Sequence, residues 1–170
     1  TIKDTYRSPF PALNYRRQNE GVATNTIYSD TPAVDNGSMC AQLYVGIITK
    51  FCDSSSMSTD GLFVITLMDV IRKRGAMDTL ISDRAQSVVS KGVKNVLRHL
   101  CIDDWQSAAH YQHQNPCETR YRLIKNYINR VMNSSGAPAD CWFLCLLYVC
   151  FILNQLALCT INWRTPYELL

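Results

Sequence analysis

The sequence predicts an α/β domain on a mixed sheet of five strands flanked by helices. Three features point there. Three strand-like segments follow one another in the first third, with a turn signal after the first. Helical apolar stripes then alternate with two short strand-like segments. The last third is helical. Consecutive strands favour an antiparallel meander, whereas strand–helix–strand alternation favours parallel crossovers, so both pairings belong in one sheet. The length of 170 residues suits one domain, and 47% apolar against 18% charged residues excludes a disordered chain.

Thr26–Ser29 reads as the first strand, stopped by Pro32, and Asp35-Asn36-Gly37 as a turn. Ala41–Thr49 is rich in β-formers and gives the second strand. Phe51–Met57 gives the third, although Ser54, Ser55 and Ser56 are poor strand residues. Ser58 or Thr59 caps a helix whose stripe is Leu62, Ile65, Leu67, Met68 and Ile71, ended by Gly75. Asp78–Ser82 is a short buried strand. Ser90 caps a helix carrying Val93, Val96, Leu97 and Leu100, and Cys101–Trp105 is the last strand. A polar loop spans Gln106 to Gln114. Asn115-Pro116 opens a helix with Tyr121, Ile124, Ile128 and Val131 on one side and Glu118, Arg122, Lys125 and Asn129 on the other. Gly136-Ala137-Pro138 breaks the chain. A final helix, about 139–158, is apolar nearly all round and is expected to be covered by other elements.

Residues 1–24 read as an extended leader with a positive bias from Arg7, Arg16 and Arg17, and 25–170 as the folded domain. The chain starts at Thr1 and ends inside an apolar segment, as a piece of a longer polypeptide would. A net charge of +3 permits a nucleic-acid partner without singling one out. The eight cysteines form no Cys-x-x-Cys pair, and Cys141, Cys145 and Cys150 read as reduced core thiols. His110, His113 and Cys117 lack a fourth zinc ligand at suitable spacing. The uncharged run Cys141–Leu153 is too short for a membrane span, so no membrane partner is expected.

Three carboxylates carry the chemistry. Asp30 and Asp83 each end a strand, and Glu118 begins a helix after a gap of 34 residues. If the two strands run parallel, all three meet at one sheet edge. There they repel one another, and a divalent cation relieves the repulsion. Mg²⁺ suits few carboxylates plus substrate phosphate oxygens, and such ions drive phosphoryl transfer. Arg120, Arg122 and Lys125 follow Glu118 closely enough to hold a phosphodiester. Each acid also has a structural use. Asp30 can turn the chain before Thr31-Pro32, Asp83 can cap a helix with Gln86, and Glu118 can complete a capping box with Asn115. Asp35 is a rival for the first ligand.

These motifs resemble the integrase catalytic core of copia-like retrotransposons, within the retroviral integrase superfamily of RNase H-like fold. The matching segments are Tyr28-Ser29-Asp30-Thr31-Pro32, Ile81-Ser82-Asp83, Gln114-Asn115-Pro116-Cys117-Glu118 and the tail Arg164-Thr165-Pro166-Tyr167-Glu168. The resemblance runs from about residue 24 to the end. It implies catalytic and metal-binding Asp30, Asp83 and Glu118, with Mg²⁺ or Mn²⁺ as cofactor. It also implies DNA-binding Arg120, Arg122 and Lys125. The expected partners are double-stranded DNA, as element ends and target, and further copies of the chain. The expected location is the nucleus and a cytoplasmic retroelement particle. The expected reaction is 3′-end processing and strand transfer. The sequence departs from the family at Arg84-Ala85-Gln86-Ser87, at Pro116-Cys117 and at the three serines of the third strand. Two other functions stay open: a non-catalytic DNA-binding or assembly remnant of the same fold, and a structure-specific nuclease.

Overall fold

The structure, a computed structural model, describes residues 14–83, 90–106 and 116–170. Five strands form one sheet: β1 (Val22–Tyr28), β2 (Cys40–Gly46), β3 (Cys52–Met57), β4 (Thr79–Ser82) and β5 (Asp103–Gln106). Their order is β3-β2-β1-β4-β5. β1 pairs antiparallel with β2, as β2 does with β3. β4 runs parallel to both β1 and β5. This is the expected mixed sheet.

The helices are α1 (Phe63–Arg74), α2 (Lys91–His99), α3 (Pro116–Ser135), α4 (Trp142–Gln155) and α5 (Pro166–Leu169). Ser90 caps α2 as expected, its hydroxyl accepting from the Val93 N–H at 3.4 Å. α5 lies in the tail motif. It is held by a capping box in which the Thr165 hydroxyl accepts from Glu168 N–H and Glu168 Oε2 from Thr165 N–H. Strand alternation sorts the core into two faces. Val22, Tyr44 and Leu80 pack with Phe63, Leu67 and Val93 on the α1–α2 side. Ala23, Ile27, Leu43 and Val45 pack with Cys117, Ile124 and Leu146 on the α3–α4 side.

Three expectations change. β1 begins at Val22, four residues before Thr26, because Val22, Ala23 and Thr24 are buried in the sheet. Asn25 therefore lies in the middle of the strand. The stretch Arg16–Glu20, expected in the leader, is bound into the fold. Gln18 N–H donates to Ala76 O at 2.9 Å, Asp78 N–H to Glu20 O at 2.9 Å, and Arg17 Nη1 to Leu100 O at 2.6 Å. Gly75 permits this approach. Its φ is +103°, and a Cβ there would stand 2.5 Å from the Arg16 carbonyl oxygen. Last, α4 is covered on one side only. Phe143, Leu146, Val149 and Leu153 are buried, whereas Leu144, Tyr148, Phe151 and Ile152 are exposed. A straight helix laid on a sheet buries one stripe, whatever the residues opposite.

The Gln86 and Asn115 capping roles, the polar loop after Gln106 (from 107 on) and both His110 and His113 lie outside the described residues. Among the described residues, no helix is long and apolar enough to cross a membrane.

Candidate functional site

The sheet register decides which residues stand beside Asp83. β1 and β4 pair Val22 with Leu80 and Ala23 with Ile81. Continuing that register two residues beyond Ala23 and Ile81 sets Asn25 opposite Asp83, which follows β4. Asn25 also faces Leu43 across the antiparallel ladder. It shares the α3–α4 face with Ala23 and Ile27 by strand alternation.

The start of α3 lies over this level. Cys117 is fully buried, and its Sγ donates to the Leu43 carbonyl at 3.9 Å. Burial pushes the Cys117 thiol far up, and the charges of Cys52 and Asp83 add to the rise. Asp83 is thus within electrostatic reach of the first turn of α3. Glu118 follows directly, half-buried, with Oε1 3.9 Å from Arg122 Nη2. That pair spans one turn of an exposed helix face and contributes little stability, about 0.3–0.5 kcal/mol.

Asp30 is placed differently. Tyr28, the last residue of β1, is already three residues past Asn25, roughly 10 Å at strand spacing. Asp30 follows it and is exposed. Its neighbours hold it to the hairpin and to the start of α4: Ser29 N–H donates to Met39 O at 2.9 Å, and Trp142 Nε1 to Thr31 O at 2.9 Å. Asp35 lies in the turn, where its Oδ2 accepts from Asn36 Nδ2 at 3.1 Å. Among the described residues, no group of three or more His, Cys, Asp or Glu side chains is placed to hold a metal ion. Asp83, just after β4, and Glu118, in the first turn of α3, are two carboxylates, and two are not a closed three-carboxylate cage.

One further acid at this end escaped the sequence reading. Asp60 accepts from the Tyr28 hydroxyl at 3.0 Å. Burial raises the Tyr28 phenol, the Asp60 hydrogen bond and charge raise it further, and Asp83 adds to this. Asn25 escaped because an Asn ahead of Thr26 reads as a strand start. The buried run Val22–Thr24 was the signal that extends the strand.

The basic residues divide. Lys125 is exposed, and the Arg122 side chain is 70% exposed. Arg120 turns inward, and its Nε and Nη2 are buried. It lies beside Cys52. A hydrogen bond with Cys150 lowers the Cys52 thiol, burial opposes this, and the Arg120 charge and hydrogen bond add to the lowering.

No protein-family model and no curated protein matches the sequence. Solved structures do match in fold. One is a chain of the simian T-cell lymphotropic virus intasome in complex with PP2A regulatory subunit B56 gamma. Its TM-score is 0.70 and its identity 13%, over 89% of this chain and 54% of that one. The present chain therefore spans about half the length of that neighbour. Another is the HTLV-2 integrase catalytic core domain in complex with magnesium, in trimeric and dimeric forms. Each form has a TM-score of 0.66 and 14% identity, over 89% of this chain and 95% of that one. The fold is RNase H-like, as in integrase catalytic cores. The copia-like assignment is finer than this likeness.

Proposed function

We propose that this chain is the integrase-core-like domain of a copia-like retroelement polyprotein and acts in DNA integration. The observation that carries this reading is the mixed sheet of order β3-β2-β1-β4-β5 and its likeness to integrase catalytic cores, with Asp83 just after β4 and Glu118 in the first turn of α3. Exposed Arg122 and Lys125 follow on the same helix and suit a DNA backbone. Polynucleotidyl transfer would draw on a divalent ion, Mg²⁺ or Mn²⁺, at Asp30, Asp83 and Glu118. The described geometry does not gather those three. Assembly with further copies fits the exposed apolar side of α4 and the trimeric and dimeric forms of the HTLV-2 core.

A second reading, a DNA-binding or assembly core without catalysis, is favoured by one observation. The β1 residue that the continued β1–β4 register sets opposite Asp83 is an amide, Asn25, where a third acid would complete the set.

One experiment separates the two. The chain is incubated with short duplex ends and Mg²⁺ or Mn²⁺, and duplex binding, strand cleavage and joining are measured together. Metal-dependent joining supports the first reading. Duplex binding without cleavage or joining, at any metal concentration, supports the second. Absence of duplex binding rejects both.

A further inference from the structure

A cavity of about 540 Å³ opens between the end of β2 and α3, lined by Val45, Gly46, Lys50, Arg120, Arg122 and Asn126, among others. Three of these residues are cationic, and no acidic side chain lines it among the described residues. Arg120 lines the cavity with a guanidinium that is partly buried and has Cys52 beside it. A guanidinium carries five N–H donors and the one sulfur beside it takes few of them, so donors are left for an acceptor in the cavity. Lys50 uses one of its three ammonium donors on Ile47 O at 2.6 Å.

The geometry points to a binding site for the 5′-phosphate of an unpaired DNA end. Two arginines and a lysine suit a phosphate better than a carboxylate, because a guanidinium fork matches phosphate oxygens and a monoester carries nearly two charges at pH 7. The size argues for more than the anion alone, since the cavity is at the scale of a small-molecule site. Val45, Leu123 and the arginine stems supply apolar walls for a sugar or base. A concave site also selects an end: a duplex backbone lies along a surface, whereas a single-stranded terminus can enter. The site deepens the proposed DNA role and rests on it.

The test uses the whole chain and fluorescence anisotropy with one single-stranded oligonucleotide carrying either a 5′-phosphate or a 5′-hydroxyl. The 5′-phosphate is expected to tighten binding about tenfold, the worth of one good charge-assisted contact. Lys50→Met and, separately, Asn126→Leu are expected to reduce that gain while leaving blunt-duplex binding unchanged. Adenosine 5′-monophosphate should compete at concentrations where inorganic phosphate does not. Equal affinity for the two ends, or a full gain retained in both variants, overturns the site. Equal competition by inorganic phosphate overturns its assignment to a nucleotide. Loss of duplex binding alone, with the 5′-phosphate gain intact, overturns the integration reading and leaves this site standing.

Discussion

Continued two residues past its last pair, Ala23 with Ile81, the register of the β1–β4 ladder sets Asn25 opposite Asp83, the residue that follows β4. An amide oxygen is a weaker ligand for a hard cation than a carboxylate, and it leaves less repulsion for a cation to relieve. Asn25→Asp should therefore tighten Mn²⁺ binding by at least about tenfold, roughly 1.4 kcal/mol. Asp30→Asn should leave it unchanged. Calorimetric titration of both variants checks this. Loss of metal binding in Asp30→Asn alone would restore Asp30 as the first ligand.

The buried pair Glu20–Arg74 should dominate local stability. Their side chains are 3% and 4% exposed, with Oε1 3.9 Å from Nη2. Glu20 also accepts from Ile48 N–H at 2.9 Å and Thr49 N–H at 3.0 Å. Burial pushes the Arg74 guanidinium down, and the charges of Asp53 and Glu20 resist. Its ring partner is Phe51, 4.6 Å from guanidinium carbon to centroid. Glu20→Gln removes one of the two carboxylates that offset this buried cation and should cost about 3 kcal/mol in urea denaturation. Adding Arg74→Met should recover part of the loss. A single variant as stable as the parent would remove the pair from the account.

Much of this was legible in the sequence, for identifiable reasons. The mixed sheet followed from local signals: turn residues, helical stripes and Gly75 as a stop. The serine-rich β3 was also placed correctly, because its pairing with β2, Cys40 to Met57 through Val45 to Cys52, supplies order that propensity lacks. Register was not legible. Whether Asn25 or Asp30 meets Asp83 depends on which residues of two distant strands pair, and no local rule fixes that. The inward turn of Arg120 was equally hidden. On the helix it sits among basic neighbours, and only the packing against Cys52 separates it from Lys125.

Alkaline pH should destabilise the fold through its buried hydroxyl and thiols. Burial raises the Cys117 thiol above its ordinary 9.0, and Tyr44 rises far above 10.0 for the same reason, with its hydroxyl 2.8 Å from Thr66 Oγ1. Above those values the unfolded chain releases protons that the folded chain retains. The stabilisation is complete below about pH 9 and drains away as pH rises toward the folded values. The thermal midpoint should therefore fall between pH 9 and 11, and Cys117→Ala should make the fall shallower. Parallel falls in the two proteins would sink the Cys117 share.

DNA binding should divide along the exposure of the basic residues. Lys125 is exposed on α3 and can meet a phosphate, which carries no sequence information. Lys125→Ala should then weaken binding by a similar factor for unrelated duplexes. It should also flatten the plot of log affinity against log salt by about 0.9, the counterion release of one phosphate contact. Arg120 should behave otherwise, because part of its guanidinium is buried beside Cys52. Arg120→Ala removes packing as well as charge and should lower the urea midpoint, while its effect on the duplex salt slope should be well below that of Lys125→Ala. Equal salt slopes for the two variants, with no loss of stability in Arg120→Ala, would return Arg120 to the duplex-binding face.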